Sequence, residues 1–216
     1  MIREVDKMKT GITLNKRIIK DSFVESSEAQ LNGTSCLRVV KGQEKLNDYD
    51  ENTYAKIVGT NFHNGTIEVR ACSRLLPDAP DLARGFIGIA FRINEDDSAF
   101  ESWYIRPTNG PRMTQDPVRL SHGTQYFSYP TYTFAWFREH GITKYDSQAD
   151  IALEEWITLR AVIHDAKGSF YVNDMETPVL VVEDMIHGAD ARGSIGLFVD
   201  IGTEGFFKDL TINYED

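Results

Sequence analysis

The sequence predicts an all-β protein folded as a two-sheet antiparallel sandwich of the jelly-roll kind. Three observations carry that expectation. Short apolar runs are separated throughout by clusters of Gly, Asn, Asp and Pro, the way strands and turns alternate in all-β folds. Several of these runs alternate apolar and polar side chains, the period of a half-buried strand. No segment has the length and periodicity of a structural helix. A chain of 216 residues is long for an immunoglobulin-like domain, and its strands are too irregular for a propeller. A jelly roll forming one domain over residues 1–216 is therefore expected.

The elements follow in chain order. Asn32-Gly33-Thr34 and Asn64-Gly65-Thr66 have the form of glycosylation sites, but without a secretion signal both read as turns. Residues 57–63 run into Asn64-Gly65 and residues 66–72 follow. Asn-Gly readily takes the positive φ values of a type I′ turn, so a hairpin is expected over 57–73. In its second arm Ile67, Val69 and Ala71 share one face, and Glu68 and Arg70 the other. Residues 86–93 are almost wholly apolar and suit a central strand, where Gly88 and Ala90 leave room for something bulky to lie across the sheet. In residues 102–106, alternation sets Trp103 and Ile105 on one face and Tyr104 and Arg106 on the other.

Residues 156–173 form a second expected hairpin. Ile157, Leu159, Ala161 and Ile163 alternate with more polar positions, and Asp165-Ala166-Lys167-Gly168 makes the turn, with Gly168 in the left-handed position. The final strands are expected at 194–199 and 208–214. Short helical turns are expected at 147–155, capped by Asp150, and at 184–191.

The formal charge is −10, from 33 acidic and 23 basic side chains. No basic run interrupts it; the nearest approach, Lys16-Arg17 with Lys20, is too sparse to track phosphates. Nucleic acid and anionic membranes are not expected partners, whereas a neutral glycan or a metal is compatible. Cys36 and Cys72 form neither a CxxC pair nor a disulfide framework, and read as core or strand residues. Residues 1–7 contain no apolar leader, and no run approaches the roughly 18 apolar residues of a membrane span, so a cytoplasmic location is expected. Aromatic residues make up 11% of the chain, which fits either a β-rich core or an aromatic-lined binding surface.

Chemistry-bearing motifs are few. The five histidines lack zinc-binding spacing. Gly193-Ser194-Ile195-Gly196 is not a nucleophile elbow, and no P-loop or dinucleotide fingerprint occurs. No cofactor is required by this pattern. A structural calcium is conceivable where acids gather near the end of the chain and in the 94–97 loop, with Asp209 the candidate ligand and Asp200 nearby. Glycoside hydrolysis needs two carboxyl groups, about 5–5.5 Å apart for retention or about 6.5–9.5 Å for inversion. Glu68 and Glu101 have no acidic partner two or four residues further along their strands, and Glu154-Glu155 would point opposite ways. Such a pair has to come from different strands.

One constellation stands out over residues 101–140: Glu101, Tyr104, Arg106, His122, Gln125, Tyr126, Tyr129, Tyr132, Trp136 and Arg138. Sugar sites combine aromatic faces that cover the C–H side of the ring with planar polar groups that fork onto hydroxyl pairs. The bland alternative is an aromatic core strand at 126–137, with Glu101 and Arg106 paired on a surface.

Several stretches resemble the concanavalin A-like lectin/glucanase superfamily, which includes laminin G-like and laminarinase-like domains. They are residues 64–69, 88–92 and 101–107, Gln125-Tyr126, residues 156–160, 193–198 and 202–210. The resemblance implies a jelly roll with a concave sheet, a sugar-related site on that sheet and, in some members, a structural calcium. The laminarinase pattern E-x-D-x-E, or E-x-D-x-x-E, is missing from this sequence, so the resemblance brings no catalytic residue with it. The leading expectation is a carbohydrate-binding domain using Tyr104, Arg106, His122, Gln125, Tyr126 and Trp136. The alternatives are a glycoside hydrolase-like enzyme with Glu101 as acid or base, and a protein-interaction domain without a small ligand.

Overall fold

In the computed structural model, which describes residues 10–173 and 175–215, the chain is a sandwich of two antiparallel sheets. Its strands are β1 (Thr10–Ile12), β2 (Ile19–Ser22), β3 (Val24–Leu31), β4 (Thr34–Lys41), β5 (Tyr54–Phe62), β6 (Asn64–Leu75), β7 (Ile87–Ile93) and β8 (Phe100–Ile105). After these come β9 (Thr124–Tyr129), β10 (Asp146–Ser147), β11 (Ile157–His164), β12 (Lys167–Val172), β13 (Leu180–Val182), β14 (Gly193–Val199) and β15 (Thr203–Glu215). Two short helices interrupt them, α1 (Pro117–Ser121) and α2 (Phe134–Glu139). One sheet runs β13-β12-β11-β6-β15-β4-β3, with β1 also paired to β15; the other runs β10-β9-β8-β7-β14-β5-β2. This is the jelly-roll sandwich the sequence predicts.

The first sheet is half-solvated. In β6, Ile67, Val69 and Ala71 are buried while Glu68 and Arg70 are only partly so, and β11 repeats the pattern. On the outer side Arg160 meets Glu68 at 2.7 Å, a cross-strand pair in register. The second sheet is buried on both faces, as the apolar sequences of β7 and β8 anticipate. Its inner face packs on the first sheet, with Trp103 stacked on Phe170 of β12 at 5.0 Å between ring centroids. Its outer face carries Tyr104, Phe127 and Phe198 in mutual contact, and Tyr54 edge-on to Phe100. Surface segments tie down over that face: Tyr54 donates to Asp97 at 3.1 Å, Tyr129 to Glu51 at 3.2 Å, and the Phe134 amide to Asp50 at 3.1 Å.

Local expectations fare unevenly. β11 and β12 form the expected hairpin, but its two-residue turn is Asp165-Ala166, with Asp165 at φ 53°; Gly168 already lies in β12 and pairs with Ile163. Asn32-Gly33, at φ 51° and 77°, is the two-residue turn of the β3–β4 hairpin. Asn64-Gly65 is not a hairpin turn. β5 belongs to the second sheet and β6 to the first, so the chain crosses the sandwich at His63. Gly65 is needed there for close approach instead: a Cβ on it would sit 1.9 Å from the Asn213 carbonyl oxygen on β15. Segments 147–155 and 184–191 contain no helix, and the residues read as a strand over 126–137 divide into β9 and α2. Cys36 and Cys72 are both buried and unpaired, in β4 and β6.

Candidate functional site

Segments between the strands cover much of the outer face of the second sheet. On that face a cavity of about 440 Å³ opens, with Tyr104, Arg106, Phe86, Phe134, His122 and Asp50 in its walls. Its size lies within the roughly 300–1,000 Å³ typical of small-molecule sites. Sheet parity builds the floor. Tyr104 on β8 stands opposite Gln125 on β9, on the side away from the core, and Arg106 follows on the same side just past the strand end. Gly88 opposite Tyr104 makes this possible, because a Cβ there would lie 2.6 Å from that of Tyr104. The bulky group that Gly88 admits is thus the protein's own tyrosine.

Arg106 is buried and saturated. Nη2 donates to Tyr104 Oη at 2.7 Å and, more closely still, to Gln125 Oε1. Nη1 donates to the His122 carbonyl at 3.2 Å and to Asp146 on β10 at 3.1 Å. All four Nη protons are therefore spent on the protein, and Tyr104 adds a 2.7 Å bond to Gln125. The guanidinium lies 4.6 Å from the Phe134 ring centroid and 4.9 Å from that of Tyr104. It forms a rigid, planar, positively charged floor and not a free fork.

Further charged groups come from surrounding segments. Arg84 projects from the loop after β6, Arg119 from α1 and Arg138 from α2, and all three line the cavity. Asp50, at φ 58°, closes the opposite wall. Its amide donates to Asp200 Oδ2 at 2.9 Å, and Asp200 Oδ1 is held by Lys41 at 2.5 Å and by the Ile201 amide at 2.7 Å. Burial, reinforced by the charge of Asp200, pushes the Asp50 carboxyl from 3.8 up to about 6; Arg106 and the amides of Phe134 and Ala135 limit the rise. The pocket thus holds an aspartate whose carboxyl titrates near 6 beside one held by Lys41 and two backbone amides. His122 also lines the cavity, and its buried Nδ1 has no hydrogen-bond partner among the described residues, although it lies 3.4 Å from Asp146.

The remaining sequence candidates lie elsewhere. Gln125 is fully buried behind Arg106, which it orients. Glu101 sits on the opposite face of β8, with Trp103 and Ile105, and is 0% exposed. There it pairs with Arg92 at 3.2 Å and accepts from Tyr126 Oη at 2.5 Å and from the His187 amide at 3.2 Å. A bulge makes this possible: Arg92 has φ 51°, and the β7–β14 register slips between Ser194 and Gly196. The expected roles of Glu101 as acid or base, and of Tyr126 as a ligand contact, are corrected accordingly, since both groups are enclosed between the sheets. Trp136 on α2 is half-buried, stacked on His140 at 4.0 Å and edge-on to Tyr132 at 4.8 Å, outside the cavity wall.

Asp209 does not fit a calcium ligand set. It lies at φ 54° in a bulge of β15, its side chain 63% exposed, with Lys208 as its nearest ionic neighbour. Asp97 is paired with Lys20 and Lys56 and Asp200 with Lys41, while Asp96 accepts from Ser98. Among the described residues no three His, Cys, Asp or Glu side chains gather as a metal site. Nor is any helix there long and apolar enough to cross a membrane.

Comparison with known proteins bears on the fold. No protein-family model and no curated protein matches the sequence. Among solved structures the chain is similar to the carbohydrate-binding module CBM66 from Bacillus subtilis, with a TM-score of 0.55 and 11% identity over 89% of this chain and 96% of that one. It is also similar to a structure described as a native glycosidic hydrolase, with a TM-score of 0.51 and 11% identity over 98% of both chains. A Bacillus subtilis protein of unknown function with a galectin-like fold gives a TM-score of 0.51 at 10% identity, over 90% of this chain and 97% of that one. These neighbours are jelly-roll sandwiches of the galectin-like and carbohydrate-binding-module kinds, consistent with a concanavalin A-like fold. None is described as a laminin G domain or a laminarinase.

Proposed function

We propose that this chain recognises a carbohydrate in the cavity at Arg106. One observation carries the reading: aromatic faces of Phe134, Phe86 and Tyr104 stand against a fixed guanidinium floor, with hydrogen-bonding side chains at the rim. An aromatic face covers the C–H side of a sugar ring, and the polar rim selects among its hydroxyls. The fold neighbours include a carbohydrate-binding module, which supports the same reading. The test is calorimetry of the protein against a broad oligosaccharide panel, repeated with Phe134→Ala. Binding of at least one glycan class, weakened roughly tenfold or more in the variant, is expected from the loss of one aromatic platform. A panel without a single binder would remove the proposal.

A second reading, hydrolysis of a glycan, is favoured by the Asp50–Asp200 pair. A buried carboxyl raised to about 6 beside a second aspartate is the environment of a general acid. Both Asp200 oxygens are already taken by Lys41 and two backbone amides, so its role there would be to hold the proton on Asp50. Turnover of the bound glycan, lost in Asp50→Asn, is the outcome that would move this reading ahead of simple recognition.

A further inference from the structure

The charge inside the pocket is opposite to that of the chain. The protein carries −10, yet four arginines, Arg84, Arg106, Arg119 and Arg138, converge on one cavity from four separate segments. Arg106 is neutralised by Asp146 at 3.1 Å. The other three find only neutral partners among the described residues. Arg84 donates to the backbone carbonyls of Asp81 and Ala83 at 2.6 and 2.8 Å. Arg119 donates to the Asn109 side-chain oxygen at 3.1 Å and to the Thr108 carbonyl at 2.6 Å. Arg138 lies 5.2 Å from the Phe134 ring centroid. Elsewhere several arginines are paired with carboxylates, as Arg38 with Glu204, Arg112 with Asp150 and Glu155, and Arg160 with Glu68, while Arg70 and Arg74 lie singly over Trp156 and Phe206.

Bringing three like charges to one hollow is unfavourable unless something neutralises them. Burial, with the charges of Arg119 and Arg106, holds Arg84 below its usual pKa. The acids at the site offset little of this. Asp200 already serves Lys41, and Asp50 is a single carboxyl facing three guanidinium groups. Guanidinium groups are also the side chains best shaped to clamp an oxyanion through two parallel hydrogen bonds.

We infer that the pocket takes an acidic glycan, one whose ring carries a carboxylate or sulfate group held by Arg84, Arg119 and Arg138. This rests on the carbohydrate reading above and narrows it. Phe134 then lies against the ring, and the three guanidiniums take the anion. The repulsion from the chain's overall charge is long-range and screened beyond about 8 Å at physiological salt, so within the cavity the local arginines dominate.

The test is calorimetry of the whole chain against oligouronates, the same oligouronates methyl-esterified, sulfated galactan oligosaccharides, and neutral cello- and fructo-oligosaccharides. Uronates or sulfated sugars are expected to bind, whichever of the two does so identifying the anion. Esterification is expected to weaken uronate binding roughly tenfold or more, as is Arg138→Gln, an exposed position whose loss leaves the floor intact. Acid binding should also weaken as sodium chloride is raised, a check that needs no variant. Neutral or esterified sugars bound as tightly as the acids, or an affinity indifferent to salt, overturns the anionic assignment while leaving carbohydrate recognition standing. Failure of every glycan, acidic and neutral, overturns both.

Discussion

Glu101→Gln separates the present assignment from the alternative in which Glu101 acts as acid or base. The substitution keeps shape and removes charge from a carboxylate 0% exposed between the sheets. Three donors lose strength: Arg92, Tyr126 and the His187 amide. Breaking a buried ion pair from one side typically costs about 3–5 kcal/mol. The lower end applies here, because Arg92 keeps carbonyl acceptors on His63, Asp165 and Gly188. For a chain of this size 1 kcal/mol corresponds to roughly 2–4 °C in Tm, so a fall of roughly 6–12 °C is expected. Thermal unfolding followed by circular dichroism reads it, with calorimetry of the bound glycan on the same sample. Affinity should be unchanged at temperatures where the variant is folded. An unaltered Tm together with lost binding or turnover would place Glu101 at the ligand and refute the assignment of faces along β8.

Other perturbations test separate parts of the account. Asp50 has a native pKa raised from 3.8 to about 6, so the native state binds the extra proton and wild-type stability falls as pH rises through that window. Relative to Asp50→Asn, the wild type should lose about 2 kcal/mol between pH 3.8 and 6; urea titrations giving the same difference at both ends would contradict it. Lys41→Met leaves Asp200 buried without its cation and should cost about 3–5 kcal/mol by the same denaturation assay, whereas a cost under 1 kcal/mol would mean that water reaches the aspartate. Gly88→Ala sets a Cβ 2.3 Å from the Trp103 carbonyl oxygen; a loss of about 1–3 kcal/mol with weakened glycan binding is expected as Tyr104 shifts, and unchanged binding would detach Tyr104 from the site. Asp209→Asn, on an exposed bulge, should leave Tm within about 1 °C with or without added calcium, so a calcium-dependent shift lost in the variant would restore a metal there.

Most of the fold was legible because strand periodicity is a local signal. The alternation in β6 and β11 and the doubly apolar β7 and β8 all announce burial that the sandwich then supplies. Turn chemistry was less informative. Asn32-Gly33 and Asn64-Gly65 are the same dipeptide, yet one closes a hairpin and the other crosses between sheets. The difference lies in what each flanking strand pairs with, which is tertiary. Segment 126–137 misleads because aromatic residues suit a strand and a short covering helix alike.

The site was legible only in part. Parity was sufficient to join Tyr104 to Arg106, and the same parity sets Glu101 with Trp103, on the core side. The saturation of Arg106 could not be foreseen, since Asp146 and the His122 carbonyl reach it from different segments. Arg84, Arg119 and Asp50 are single charges in otherwise ordinary loops and a short helix, without a motif to mark them. Their meaning is collective, and the negative total charge concealed it: a sum over the chain says nothing about a hollow where three cations gather.

The most direct measurement is a crystal structure of the protein soaked with the tightest-binding oligosaccharide of the panel. The account predicts a sugar ring lying against Phe134, with its charged group between Arg84, Arg119 and Arg138. Sugar bound instead on the solvated outer face of the first sheet, with the Arg106 cavity empty, would contradict it.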